Sequence, residues 1–208
     1  MAEVHYTASE ERLNVLTHAL GVVLSFVGLV LLLLKSSGLT ELISSMVFAA
    51  SLITLYTAST LYHSSKDRNA RARLRIFDHA AIYVLIAGTY TPVCLITLNG
   101  SIGTTLLWII WGVGLSGVIL KLFFTGRFDR LSTIMYIAMG WIAVFAIKPL
   151  LSTMPTEGLL WLLAGGFFYT LGAILYSIRS IPMNHATFHI CVLGGSASHY
   201  IMIYFHIL

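Results

Sequence analysis

Charge is scarce in this sequence. Of 208 residues only 10% are charged while 58% are hydrophobic, far more apolar side chain than one water-soluble domain of this size can bury. A soluble globular fold is excluded, and the chain reads as a membrane protein. The net charge of +4 comes from basic residues set between apolar runs, with no stacking or groove-reading motif beside them, which excludes a nucleic-acid partner. Cysteine is limited to Cys94 and Cys191, both inside apolar runs and without CxxC spacing, so neither a disulfide nor a redox pair is expected. No lysine stands in the middle of an apolar run. Lys35, Lys66, Lys121 and Lys148 lie at run ends or in connectors, which removes the Schiff-base amine that a retinal protein needs. The N-terminal MAEVHYTASEERLN lacks the basic region and small-residue cleavage site of a secretory signal, so the first apolar run is expected to remain as an anchor.

What is present divides at the scale of a bilayer, whose hydrocarbon core of about 30 Å takes about 20 helical residues. Seven spans are expected, at Leu13–Leu34, Glu41–His63, Leu74–Leu98, Gly103–Phe124, Leu131–Leu150, Gly158–Ser180 and His185–Leu208. The connectors, such as KSSGLT, TLNGSI and SIPMN, carry the Gly, Ser, Asn and Pro of tight turns. The expectation is a single all-α domain, residues 1–208, folded as a seven-transmembrane helix bundle. Sorting the connectors alternately puts every Lys and Arg except Lys35 and Lys148 on one side. By the positive-inside rule that side is cytoplasmic, with the N-terminus inside and the C-terminus outside. Trp108 and Trp111 are expected as interface anchors, and Gly112, Gly114, Gly117, Gly165, Gly166, Gly194 and Gly195 as close-packing positions. Pro92 is expected to kink the third span, and Asn184 to cap the seventh.

Ionisable groups inside spans are costly, so each is a candidate functional residue. His63 ends the second span, Asp78 begins the third, and His185 and His189 begin the seventh, all at the basic-loop level. HATFH puts His185 and His189 on one helix face at HxxxH spacing, the spacing of a two-His metal clamp. Such a pair alone is more often two hydrogen-bonded core histidines than a ligand pair. With His63 it makes a three-His ligand set, with Asp78 as the nearby carboxylate and Ser59 one turn before His63. Zn2+ is the expected ion, since three imidazoles and an open position suit it, whereas calcium and magnesium prefer oxygen. Glu11, Asn14 and His18 form one polar stripe at i, i+3, i+7, which either faces the same cavity or satisfies a helix entry. His79 is turned about 100° from Asp78 and reads as supporting or structural. His199 follows His189 by ten residues, about 15 Å along the helix. It therefore lies outside the metal site, as an interhelical hydrogen bond or part of a polar path.

At these residues the sequence resembles the hemolysin III family, the bacterial branch of the progestin and adipoQ receptor proteins. The matching pieces are EERLNVLTHALG, STLYH, FDHAAIYVLIAGTYTP and NHATFHICVLGGSASH, in order and across essentially the whole chain. The wider superfamily includes the adiponectin receptors and alkaline ceramidases. The resemblance implies zinc near the cytoplasmic leaflet, with His63, His185 and His189 matching the ligands. Asp78 matches the aspartate beside the metal, Ser59 the serine before the first ligand, and Glu11, Asn14 and His18 an N-terminal pattern. It also implies a multi-pass protein of the bacterial cytoplasmic membrane. The long N-terminal region of the animal receptors is lacking, so hormone recognition is not implied.

Two functions follow as expectations. In the first, zinc-activated water hydrolyses a membrane-lipid amide or ester, a ceramidase-like reaction with Asp78 and Ser59 as catalytic residues. In the second, the zinc site is structural, and the protein is a membrane-homeostasis regulator, channel or transporter. A cytolytic hemolysin is a third reading, opposed by an apolar surface that has to stay in lipid.

Overall fold

The computed structural model describes residues 6–178 and 180–208, with Asp129 described by its backbone alone. Arg179, counted above among the basic connectors, lies outside the described residues. The helices are α1 (Ala8–Lys35), α2 (Leu39–Ser64), α3 (Arg68–Pro92), α4 (Ser101–Phe124), α5 (Asp129–Gly140), α6 (Ile147–Thr153), α7 (Thr156–Ser177) and α8 (Asn184–His206), with no strand among the described residues. With α5 and α6 joined as one crossing, seven helices are long and apolar enough to span a membrane. The chain is a seven-helix membrane bundle.

Local chemistry sets several boundaries. Thr7 caps α1 by accepting from the Glu10 amide at 3.2 Å, and Asp67 caps α3 by accepting from Ala70 at 2.7 Å, each satisfying an amide that the helix leaves unpaired. α3 ends at Pro92, which has no N–H to give, and the chain continues directly as a π-helical turn at Val93–Thr97. The fifth span is not the continuous helix that its composition suggests. It breaks after Gly140 into a 3-10 stretch at Ile142–Ala146 before α6 resumes. Tyr90 of α3 satisfies the broken backbone, its hydroxyl donating to the Gly140 carbonyl at 2.7 Å and accepting from the Ala143 amide at 2.8 Å. Pro149 just beyond explains why the helix cannot run unbroken through this stretch.

The outside of the bundle is apolar, with Phe145 91% and Leu34 79% exposed, while Ser44, Ser51, Ser59 and Thr89 are buried. This distribution suits lipid as the surrounding solvent. α1 packs on α2, α2 on α3 and α3 on α4. α7 packs along α8, α8 returns to α1, and α5 bridges α3 to α7, so the helices close around an interior. Trp108 faces outward at 74% exposure, but Trp111 donates to Thr91 at 3.2 Å inside the bundle and is a packing residue rather than an interface anchor. Gly112 is likewise corrected: nothing lies within 4 Å of a Cβ built on it, because it sits on the outward face of α4. Gly165 is a close approach, since a Cβ there would fall 2.2 Å from the His199 ring. Cys94 and Cys191 are buried free thiols.

Candidate metal centre

Two helices bring three histidines together at the end of the bundle that carries Lys66 to Arg75. His63 comes from the last turn of α2, and His185 and His189 from the first turns of α8, all buried. Their Nε2 atoms face one another. His185 Nε2 lies 3.0 Å from His63 Nε2 and 3.1 Å from His189 Nε2, and one donor atom from each ring lies within 4.8 Å of the others.

The opposite nitrogens are anchored outward. His63 Nδ1 lies 2.7 Å from Glu11 Oε2, and the other oxygen of Glu11 is held by Arg71. His189 Nδ1 lies 3.3 Å from the Asn14 carbonyl and 3.4 Å from the Thr17 hydroxyl. His185 Nδ1 lies 3.2 Å from the Tyr6 hydroxyl, and burial raises the Tyr6 pKa well above its ordinary value, so this phenol stays neutral. A paired carboxylate and a backbone carbonyl can only accept, so the partners assign the hydrogens of His63 and His189 to Nδ1. Two lone pairs are thereby aimed at the centre of the cluster. Imidazoles fixed by outward hydrogen bonds with bare nitrogens inward are the usual arrangement of metal-binding histidines. The three histidines can hold a metal ion.

Around this cluster the other sequence candidates take different places. Asn14 is fully buried, with its Nδ2 at 3.4 Å from His63 Nδ1. His18 lies flat against His189, ring centroids 3.5 Å apart and planes 6° from parallel, with neither nitrogen hydrogen-bonded among the described residues. The stripe of Glu11, Asn14 and His18 therefore faces the cluster. Ser59 is fully buried one turn before His63, its hydroxyl without a hydrogen-bond partner among the described residues. Asp78 stands outside the close group and lines the adjoining cavity with His79, whose Nδ1 lies 3.5 Å from its carboxylate and 2.8 Å from the Arg75 carbonyl. His199 is separate from the cluster and hydrogen-bonded across to α7, Nε2 to the Leu162 carbonyl at 3.2 Å.

Several contributors escape a reading of the sequence. Tyr6, Glu10, Thr17 and Arg71 all support the ligands, and Glu10 accepts from the His185 amide at 3.3 Å, capping α8 from another helix. The expected Asn184 cap is corrected here. Met183, in the left-handed region at φ 55, precedes α8 without a side-chain cap, and Asn184 instead donates to the Tyr176 carbonyl at 2.9 Å, tying off the end of α7. The available signal was the acidic pair Glu10–Glu11 at the entry of an otherwise apolar span.

The cavity encloses about 150 Å³ and runs from His185, His189 and Asp78 past Val192 to His199. Its lining is overwhelmingly apolar between these polar ends, as suits a hydrocarbon ligand.

Comparison with known proteins places this architecture among relatives. The sequence pattern of the haemolysin-III related family matches residues 6–200. The chain is 42% identical over 204 residues to the hemolysin-3 homolog of Bacillus subtilis (strain 168), covering 97% of this chain and 96% of that protein. It is also 42% identical over 211 residues to hemolysin-3 of Bacillus cereus, covering 100% and 96%. More distantly, it is 28% identical over 204 residues to the human monocyte to macrophage differentiation factor, covering 95% and 84%.

Proposed function

The chain belongs to the haemolysin-III related family, and from that premise we propose that it is a zinc-dependent intramembrane hydrolase of a lipid amide or ester. The observation that carries this reading is the facing of three Nε2 atoms, 3.0 and 3.1 Å apart along the series, at one end of an apolar cavity that Asp78 also lines. A tetrahedral ion with Zn–N bonds of about 2.0–2.1 Å sets its nitrogens about 3.3 Å apart, so the residues fit zinc with little movement. A bound zinc supplies Lewis acidity, polarising a carbonyl and bringing the pKa of a coordinated water toward 7.

The chain's own residues do the rest. His63, His185 and His189 hold the ion, with Glu11, Arg71, Tyr6 and Asn14 fixing the rings. Asp78 takes the proton of the attacking water and returns one to the leaving amine or alcohol. Ser59 donates toward the developing oxyanion or steadies His63. The apolar lining, with Ile82, Phe188 and Val192, receives the acyl chain. The N-terminus is cytoplasmic and the C-terminus outside in this reading, in a bacterial cytoplasmic membrane, and residues 1–208 act as one domain.

The test is fatty-acid release from amide-linked and ester-linked lipids by the zinc-loaded protein. Turnover that EDTA removes and that Asp78→Asn lowers at least about 100-fold supports the reading. A zinc-loaded protein inert toward both lipid classes, and indistinguishable from its EDTA-treated form, overturns it. A second reading, a structural metal in a membrane regulator, is favoured by one observation: the cluster and its anchors tie α1, α2 and α8 together. Under it, metal removal lowers the melting temperature sharply and Asp78→Asn has no consequence.

A further inference from the structure

The far end of the cavity holds a polar group that the proposed reaction does not use. His199 is 8% exposed, lines the cavity, and its Nδ1 has no hydrogen-bond partner among the described residues. Its Nε2 lies 3.2 Å from the Leu162 carbonyl. That carbonyl only accepts, so the hydrogen belongs on Nε2 and Nδ1 is a bare acceptor. Buried acceptors without a donor are rare because they have given up water for nothing.

The position is also built to hold the ring. A Cβ at Gly165 would lie 2.2 Å from its Cδ2 and Nε2, so only glycine admits it. Tyr169 packs on the ring with centroids 5.5 Å apart. The neighbouring polar groups are engaged with one another: the Tyr169 hydroxyl is 2.8 Å from Ser196, Tyr56 donates to Ser196 at 2.7 Å, and Trp141 donates to Thr170 at 3.0 Å.

We propose that His199 Nδ1 accepts a hydrogen bond from a hydroxyl on the hydrocarbon chain of the bound lipid, so that the cavity selects chains hydroxylated in their middle. The inference rests on the reading of the cavity as a lipid site, and not on hydrolysis. His199 follows His189 by ten residues on α8, about 15 Å along the helix axis. With single bonds of about 1.5 Å and angles near 111°, an extended chain covers that distance in roughly twelve carbons. A hydroxyl there supplies the missing donor. A ketone of nearly the same size and polarity does not, because it too only accepts.

The experiment uses the zinc-loaded, full-length protein in nanodiscs and three probes, octadecanoic, 12-hydroxyoctadecanoic and 12-oxooctadecanoic acid, each competing with a fluorescent fatty acid. The hydroxylated chain is expected to bind about fivefold or more tighter than the keto chain, and His199→Phe, which keeps a ring of similar size, is expected to erase that ratio while still binding octadecanoic acid. Equal binding of the hydroxylated and keto chains by the wild type overturns the subsite and leaves the lipid cavity standing, as when a water already satisfies His199. A preference that survives in His199→Phe also overturns it. Failure of all three probes to bind overturns both the subsite and the lipid cavity. Should His199→Phe not fold, the wild-type ratio of hydroxylated to keto chain decides alone.

Discussion

At His63, His185 and His189 every outward nitrogen is held by a group from outside the cluster and the inward ones face each other, whereas ten residues beyond His189 along α8 His199 has one nitrogen held and the other alone among the described residues. The two layers share α8 and one cavity, yet they are built differently. The first draws on α1, α2, the start of α3 and the entry segment at Tyr6, and its anchors converge from outside, turning the lone pairs of His63 and His189 inward and holding His185 between them. The second is made by close packing of α7 on α8, with a glycine where the ring has to enter. A site anchored on every outer nitrogen has a fixed shape, as a metal requires. A site with one spare acceptor is completed by whatever donor enters the cavity.

This contrast breaks most severely at the ligands themselves. His189→Ala is expected to reduce bound zinc to near background in metal analysis of the purified protein, while His199→Phe leaves it at the wild-type level. Equal metal content in these two variants would erase the distinction between the layers. Next in size is Asp78→Asn, expected to keep its zinc and lose at least about 100-fold in lipid turnover. Loss of zinc instead would move Asp78 into the ligand set. Glu11→Gln leaves every ligand in place but weakens the outward anchor of His63, and competition with a zinc chelator is expected to report an affinity about 10–100-fold lower. An unchanged affinity would mean that the Glu11–His63 contact does not orient the ring.

The smallest effect is expected on the α3 side of the same cavity, at Tyr90. Tyr90→Phe removes the hydroxyl that serves the broken fifth span, and should cost about 1–3 kcal/mol of stability by leaving backbone groups unpaired in a dry interior, read as a lower melting temperature with zinc content unchanged. A variant as stable as the wild type would show that the break is held by packing alone.

The first layer was legible in the sequence to the extent that helix periodicity could carry it. HATFH puts two histidines on one face within one element, and apolar run lengths put His63 and Asp78 at the same depth. Its supports were not legible, because Tyr6, Glu10, Thr17 and Arg71 reach the ligands only through the packing of α1 on α8 and α2 on α3, which no local spacing encodes. For the same reason Asn184 looked like a helix cap, the role that Glu10 takes from another helix. The seven crossings followed from apolar length, but the interruption at Ile142–Ala146 was missed: Pro149 limits the helix from within the fifth span, and the Tyr90 hydroxyl of α3 that satisfies the opened backbone reaches it only through packing. His199 could be separated from the metal site by its distance along α8, while its bare nitrogen emerged only with the position of Leu162.

X-ray absorption at the zinc edge of the purified, zinc-loaded protein tests the central claim most directly, because it reads the ligands and not the consequences of losing them. The account predicts a four-coordinate ion with three imidazole nitrogens at about 2.0–2.1 Å, and loss of that signature in His63→Ala. A shell of sulfur or of oxygen alone, or the same imidazole signal retained in His63→Ala, would contradict it.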